Sequence, residues 1–231
     1  YERTGKTWFT ILECRQMKVE VFNIFNKRIP YFVIDDYYTE QELKSVWSEI
    51  DFYTNSYDKD KILRADETYV ARKDGISQSK SYRWYPSEIL ANWGIEMSPL
   101  FRLSNKLKSE ELHSNLRDLY PWYNMFASTN ISDVMLSYYE EGDYYKPHID
   151  IGMWTQLIWV TKKSKKWKGG DFCLYTEQDK KKKISWRNNR SVIFPSMLKH
   201  EVEPIVWKEN IQPKFGDGRY TISYFLYWKK R

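Results

Sequence analysis

The side chains best placed to do chemistry lie in the run YYKPHID, from Tyr144 to Asp150. The chain has three histidines in 231 residues, and one of them, His148, stands two positions before Asp150. Alternate residues of a β-strand face the same side, so a strand-borne His-x-Asp offers an imidazole and a carboxylate to one point, with backbones about 6–7 Å apart. A solvated surface dipeptide, or a buried histidine that simply donates to a carbonyl, is the plain alternative. A metal needs a third ligand. His200, in PSMLKHEVEPI, can supply it. His113 sits in a leucine-bearing helical stretch with no carboxylate or histidine at ligand spacing, and is read as an ordinary helix residue.

Two imidazoles and one carboxylate on one side of a metal make the facial triad of non-haem Fe(II) oxygenases, which keeps positions open for substrate and O2. A second pair strengthens that reading. Arg219 and Thr221, in GRYTISYFLY, are again two apart and share a face. A buried arginine without a partner is costly, so an inward Arg219 asks for an anion, and its planar fork suits a carboxylate. Pairing with an internal Asp or Glu is the structural alternative. Gly169-Gly170 marks a tight turn between the two histidine segments, and Pro195 precedes the His200 strand as a hairpin would require.

These residues need elements to hold them. From Asp133 onward the runs DVMLSYYEE, WTQLIWVTK, GGDFCLYTE, KISWRN, SVIFPS, KHEVEPIVW and RYTISYFLYW read as short strands divided by Gly, Lys or Asn turns. So many short strands suggest a sandwich or jelly-roll barrel. Upstream, Tyr31 to Ile34 reads as a strand and Thr39 with Glu42 as a capping box. The following helix carries Leu43, Val46, Trp47 and Ile50 as one apolar stripe. Ser98-Pro99 starts another helix with Leu100, Leu103 and Leu107 inward; Leu112, Leu116 and Leu119 extend the helical pattern. The polar segment 53–84 reads as a long loop or irregular hairpin. We expect a single domain over 1–231, with strand, helices and loops of 1–130 supporting a core at 131–231.

Composition narrows the partners. The net charge is +6, but the lysines fall in two runs, Lys162 to Lys168 and Lys180 to Lys183. The strand between them spans about 25 Å, so they read as two solvated hairpin tips and not as one phosphate-tracking stripe. Aromatics are 18% of the chain, with 19 Tyr and 11 Trp, which fits a β-rich core better than a base-stacking surface. Cys14 and Cys173 stand far apart in no metal-binding spacing, which suits a reducing compartment. No apolar run is long enough for a membrane span, and no secretory signal opens the chain. A cytoplasmic protein is the expectation.

Taken together, YEEGDYYKPHID, WKGGDFCLY, VIFPSMLKHEVEPI and GRYTISYFLY resemble the Fe(II)- and 2-oxoglutarate-dependent oxygenases, in their prolyl-hydroxylase-like branch. The resemblance covers about 131–228, and IPYFVIDDYYTEQEL is similar to the opening strand and helix of that branch. It implies a mainly β fold: a double-stranded β-helix, or cupin-like jelly roll, with N-terminal helices packed on one sheet. It also implies Fe(II) on His148, Asp150 and His200, with 2-oxoglutarate and O2 as cosubstrates and ascorbate as a candidate reductant. Arg219 would pair with the distal carboxylate of 2-oxoglutarate and Thr221 would add a hydroxyl. Tyr139 matches a tyrosine lining the cosubstrate pocket, in a register against Tyr138 that a bulge at Gly142 would shift. Tyr145 matches an aromatic near the substrate.

Two features depart from the family pattern. Arg219 follows His200 by nineteen residues, a longer gap than usual, which an inserted hairpin in VWKENIQPKFGDG explains. Lys208 and Lys214 are then rival anion partners, and Arg219 is preferred for its flanking sequence. Segment 53–84 occupies the place of substrate-closing loops without a recognisable substrate motif. The resemblance implies hydroxylation of a prolyl or other residue of a protein or peptide, yielding succinate and CO2. A hydroxylase of a free amino acid or small metabolite is the alternative. Nucleic-acid demethylation is disfavoured, because Phe225 stands where such relatives carry a second arginine. A jelly-roll binding module without catalysis is disfavoured by the complete ligand set.

Overall fold

The strand WTQLIWV sends its side chains alternately into two different cores. Trp154, Ile158 and Val160 join one apolar cluster, while Leu157 and Trp159 join another. A strand buried along its whole length must lie centrally with both faces covered. The computed structural model describes residues 17–24, 27–56, 63–64, 70–91, 94–109, 124, 128–175, 180–211 and 214–228. Among these, the larger sheet has eight strands, in the order Met17–Ile24, Lys27–Ile34, Arg190–Pro195, Trp154–Val160, Arg219–Tyr227, Ile131–Tyr139, Tyr82–Trp84 and Leu63–Arg64. The smaller has five: Lys181–Ile184, Phe172–Tyr175, His200–Val202, Tyr144–His148 and Ser79–Lys80. Successive strands from Ile131 repeatedly change sheet, and the inner faces meet through Leu157, Trp159, Val192, Phe172, Leu174 and Leu198. This is the expected jelly roll. Strands ahead of residue 131 contribute to both sheets.

The outer face of the larger sheet is covered by helices. Glu40–Asp51 begins with the expected capping box between Thr39 and Glu42, and it buries Val46 and Ile50, with Leu43 and Trp47 packed at the edge. Ser98 caps the short helix Pro99–Leu103 by accepting from the Phe101 N–H. The buried Glu49 carboxylate ties the two helices, accepting from Tyr53, Ser98 and the Leu100 N–H. Tyrosines and tryptophans fill these cores, with Tyr37, Tyr53, Tyr138, Tyr220, Tyr224, Trp84 and Trp167 among the largest fully buried side chains. His113, Cys14 and the helical pattern of Leu112 to Leu119 lie outside the described residues. None of the described helices is long and apolar enough to cross a membrane.

Three local expectations are corrected. Pro195 and His200 do not form a hairpin, because their strands belong to different sheets and the chain crosses between them. Lys181–Ile184 is not a loop tip but the edge strand of the smaller sheet, running back along Phe172–Tyr175. Exposed lysines on an edge discourage pairing with another chain. The two lysine runs therefore meet, with Lys165 and Lys183 3.9 and 3.8 Å from Asp171. Part of the polar segment 53–84 is also regular: Arg72–Lys73 and Ile76–Ser77 form a small hairpin, and Tyr82–Trp84 enters the larger sheet. Gly169, expected at a turn, has φ +67° and would place a Cβ 2.2 Å from the Pro204 carbonyl oxygen, so only glycine fits there.

Candidate active site

His148 ends the strand Tyr144–His148, and His200 opens the neighbouring antiparallel strand directly opposite it. Their ring centroids lie 4.2 Å apart. Asp150 falls two residues beyond the end of its strand, which corrects the simple same-face argument. It returns to the histidines because its N–H donates to the Ser196 carbonyl at 3.0 Å, fixing the loop after His148. The carboxylate lies 3.5 Å from His148 Nε2 and 3.3 Å from His200 Nε2. One ligand atom from each of the three residues falls within 4.8 Å of the others, and the 3.5 and 3.3 Å carboxylate–Nε2 distances are within the roughly 4.2 Å that two metal bonds of about 2.1 Å span.

The tautomers suit a metal. Each Nδ1 lies against a carbonyl two residues earlier, Lys146 O at 2.8 Å for His148 and Leu198 O at 2.7 Å for His200. A carbonyl can only accept, so each Nδ1 carries the proton and each Nε2 keeps its lone pair. Burial, and then His200, push His148 below its ordinary pKa, leaving it neutral at pH 7. Thr155 Oγ1 donates to Asp150 Oδ2 at 2.8 Å and lies 2.9 Å from Ser196 Oγ.

Deeper in the barrel, Arg219 is fully buried, and none of its three guanidinium nitrogens has a hydrogen-bond partner. Burial pulls its pKa down to about 10, so it remains charged at neutral pH. Asp171 acts on it only through space. The expected alternative of an internal carboxylate partner is therefore not realised. Rings of Tyr139 and Trp159 lie 5.1 and 5.4 Å from Arg219 Cζ. Thr221 Oγ1 is likewise buried without a partner. Lys208 and Lys214 are exposed, and Lys208 donates to the Lys165 carbonyl.

The tyrosine register is resolved by the pairing. Tyr139 stands directly opposite Arg219 and shares its inner face. Tyr138 points the other way, its hydroxyl accepting from the N–H groups of Gly216 and Gly218. Gly142 lies in the turn after the strand and does not bulge it. Tyr145 stacks on His148, with centroids 3.4 Å apart and planes at 13°, and accepts from the Ala71 N–H at 3.1 Å.

Sequence reasoning missed Thr155 and Arg83. Thr155 looks like any β-branched strand residue, and the Asp150 loop that reaches it is set by tertiary contact alone. Arg83 is buried on the inner wall, its Nη2 donating to Ser79 Oγ and its Cζ 5.1 Å from the Tyr145 ring. The polar stretch around it hid the strand that carries it.

Comparison with known proteins agrees with this architecture. Residues 134–227 match the family model of the 2OG-Fe(II) oxygenase superfamily. A Pseudomonas putida prolyl-4-hydroxylase is similar in fold, with TM-score 0.56 and 11% identity over 87% of this chain and 93% of that one. A prolyl hydroxylase from Trichoplax adhaerens, solved with a hypoxia inducible factor oxygen degradation domain peptide, gives 0.51 and 17% over 85% and 83%. Prolyl 4-hydroxylases from Phytophthora capsici give 0.54 and 17% over 86% and 58%. No curated protein sequence matches the chain.

Proposed function

We propose that this chain, whose residues 134–227 match the family model of the 2OG-Fe(II) oxygenase superfamily, is a 2-oxoglutarate-dependent dioxygenase that hydroxylates a C–H bond of a prolyl or other residue in a protein or peptide. The observation that carries the reading is Arg219: a buried guanidinium without a hydrogen bond, in the same barrel as a converged His-Asp-His set. A buried charge is costly unless a ligand compensates it, and the distal carboxylate of 2-oxoglutarate is such a ligand.

In this reading His148, Asp150 and His200 hold Fe(II). The two neutral imidazoles and one carboxylate leave the site a net positive charge, which attracts an anionic chelator. When bound, iron and 2-oxoglutarate supply the oxidising chemistry: O2 and 2-oxoglutarate give succinate and CO2, with one oxygen atom entering succinate and the other the substrate C–H bond. Thr155 keeps the Asp150 oxygens aimed at the centre, and the two Nδ1–H···O=C bonds fix the ring planes. Arg219, Thr221 and Tyr139 orient the cosubstrate, while Trp159, Leu157 and Phe172 keep water out. Tyr145, stacked on His148, borders the place where substrate enters.

A peptide substrate is favoured over a free amino acid by the rim. Ile149 and Ile151 flank Asp150 at 62% and 84% exposure, and Met197 stands near His200 at 54%, an apolar collar that would be idle around a small polar substrate. The Trichoplax relative, solved with a peptide, supports the same class. A nucleic acid is disfavoured because several lysines of the two runs are paired with carboxylates at the surface: Lys162 with Asp51, Lys163 with Asp217, Lys181 with Glu201 and Lys183 with Glu203. The buried free thiol of Cys173 and the need for Fe(II) fit a reducing compartment such as the cytoplasm. The test is mass spectrometry of peptide pools, including proline-containing peptides, incubated with protein, Fe(II), 2-oxoglutarate and ascorbate. A mass gain of one oxygen that requires 2-oxoglutarate supports the reading. Demethylation of alkylated DNA, or oxidation of free amino acids alone, contradicts it.

A further inference from the structure

We propose that the indole N–H of Trp159 is an additional hydrogen-bond donor to the distal carboxylate of 2-oxoglutarate, beside Arg219 and Thr221; this rests on the dioxygenase reading above. Trp159 stands directly opposite Thr221 in the pairing of Trp154–Val160 with Arg219–Tyr227, so the two side chains share the inner face. Its ring approaches Arg219 Cζ at 5.4 Å. Trp159 is fully buried, and its Nε1 has no hydrogen-bond partner, as is true of Thr221 Oγ1 and every Arg219 nitrogen.

A buried donor left without an acceptor carries its full desolvation cost. An ionised carboxylate accepts at about four lone-pair positions. The Arg219 fork accounts for two and the Thr221 hydroxyl for a third, which leaves room for the indole. The absence of a partner does not by itself single out Trp159, because Nε1 of Trp84, Trp167, Trp186 and Trp207 is also buried without one. Trp84 lies in the other core, and Trp167 packs on Trp186 and Trp207, whereas Trp159 faces Thr221 and Arg219.

The test separates the N–H from the ring. Trp159→Phe keeps an aromatic face toward Arg219, while Trp159→Leu removes both. Binding is measured by calorimetry on Mn(II)-loaded protein without O2 turnover, using 2-oxoglutarate and, as a control of equal chain length without the distal carboxylate, 2-oxopentanoate. We expect Mn(II) affinity to be unchanged in Trp159→Phe, 2-oxoglutarate to bind about tenfold more weakly, and 2-oxopentanoate to bind as it does to the parent. Unchanged 2-oxoglutarate affinity overturns the proposal. An equal loss for both acids also overturns it, since that pattern belongs to a packing role. If the parent itself binds Mn(II) but no 2-oxoglutarate, the dioxygenase reading falls and takes this proposal with it.

Discussion

His200 lies directly opposite His148 on the adjacent antiparallel strand, so one rung of the smaller sheet carries both imidazoles. Strand register, a backbone property, thereby sets the distance between two ligands. Asp150 joins them from a loop, and the contacts that hold that loop are the weakest link in the arrangement.

Thr155→Val therefore tests the loop. Losing the 2.8 Å bond to Asp150 Oδ2 leaves the barrel folded but frees the carboxylate to rotate. Affinity for Mn(II) or Fe(II), measured by calorimetry, should weaken about ten- to a hundredfold, with the thermal midpoint of the metal-free protein little changed.

Arg219→Met should split stability from binding. Replacing a buried, hydrogen-bond-free charge with an apolar chain of similar length should stabilise the ligand-free protein by about 1–4 kcal/mol, read by denaturant titration. The same variant should bind 2-oxoglutarate about a hundredfold more weakly, or not at all. A destabilised variant would mean that Arg219 has a structural partner after all.

Acid sensitivity should trace in part to Asp35. Burial works against its charge, but Arg190, 2.6 Å away through Nε, and Arg187, 3.0 Å away, outweigh that and hold its pKa below the ordinary 3.8. A carboxyl lowered in the folded state stabilises fully above its unfolded pKa, and that contribution is lost as pH falls through the folded value. Asp35→Asn should thus lower stability at pH 7, by about 1–3 kcal/mol, and the difference from the parent should shrink below pH 3.8 in denaturant titrations.

Gly169→Ala meets both a left-handed backbone and the Pro204 carbonyl. It should destabilise by more than about 1 kcal/mol, seen as a lower thermal midpoint, with Mn(II) affinity retained in the folded fraction because no ligand lies on that turn.

Much of this was legible in the sequence. The capping box, the helix stripe and the strand runs declare themselves through local spacing, while His148, Asp150, His200 and Arg219 stand out through the family resemblance of the motifs that carry them. What the sequence hid was set at long range. The crossing from Pro195 to His200 depends on which sheet each strand joins, and the return of Lys181–Ile184 along Phe172–Tyr175 brings both lysine runs to Asp171. Trp159 and Thr155 acquire their surroundings from strands more than thirty residues away, so no local spacing could mark them.

The central claim is that one barrel joins a metal on His148, Asp150 and His200 to a 2-oxo acid anchored by Arg219. Anaerobic titration of the Fe(II)-loaded protein with 2-oxoglutarate, followed by visible absorption, tests it most directly. The account predicts a weak charge-transfer band that saturates with one equivalent, vanishes in His148→Ala and Asp150→Ala, and needs far more 2-oxoglutarate in Arg219→Met. No band in the parent, or a band indifferent to those substitutions, would contradict it.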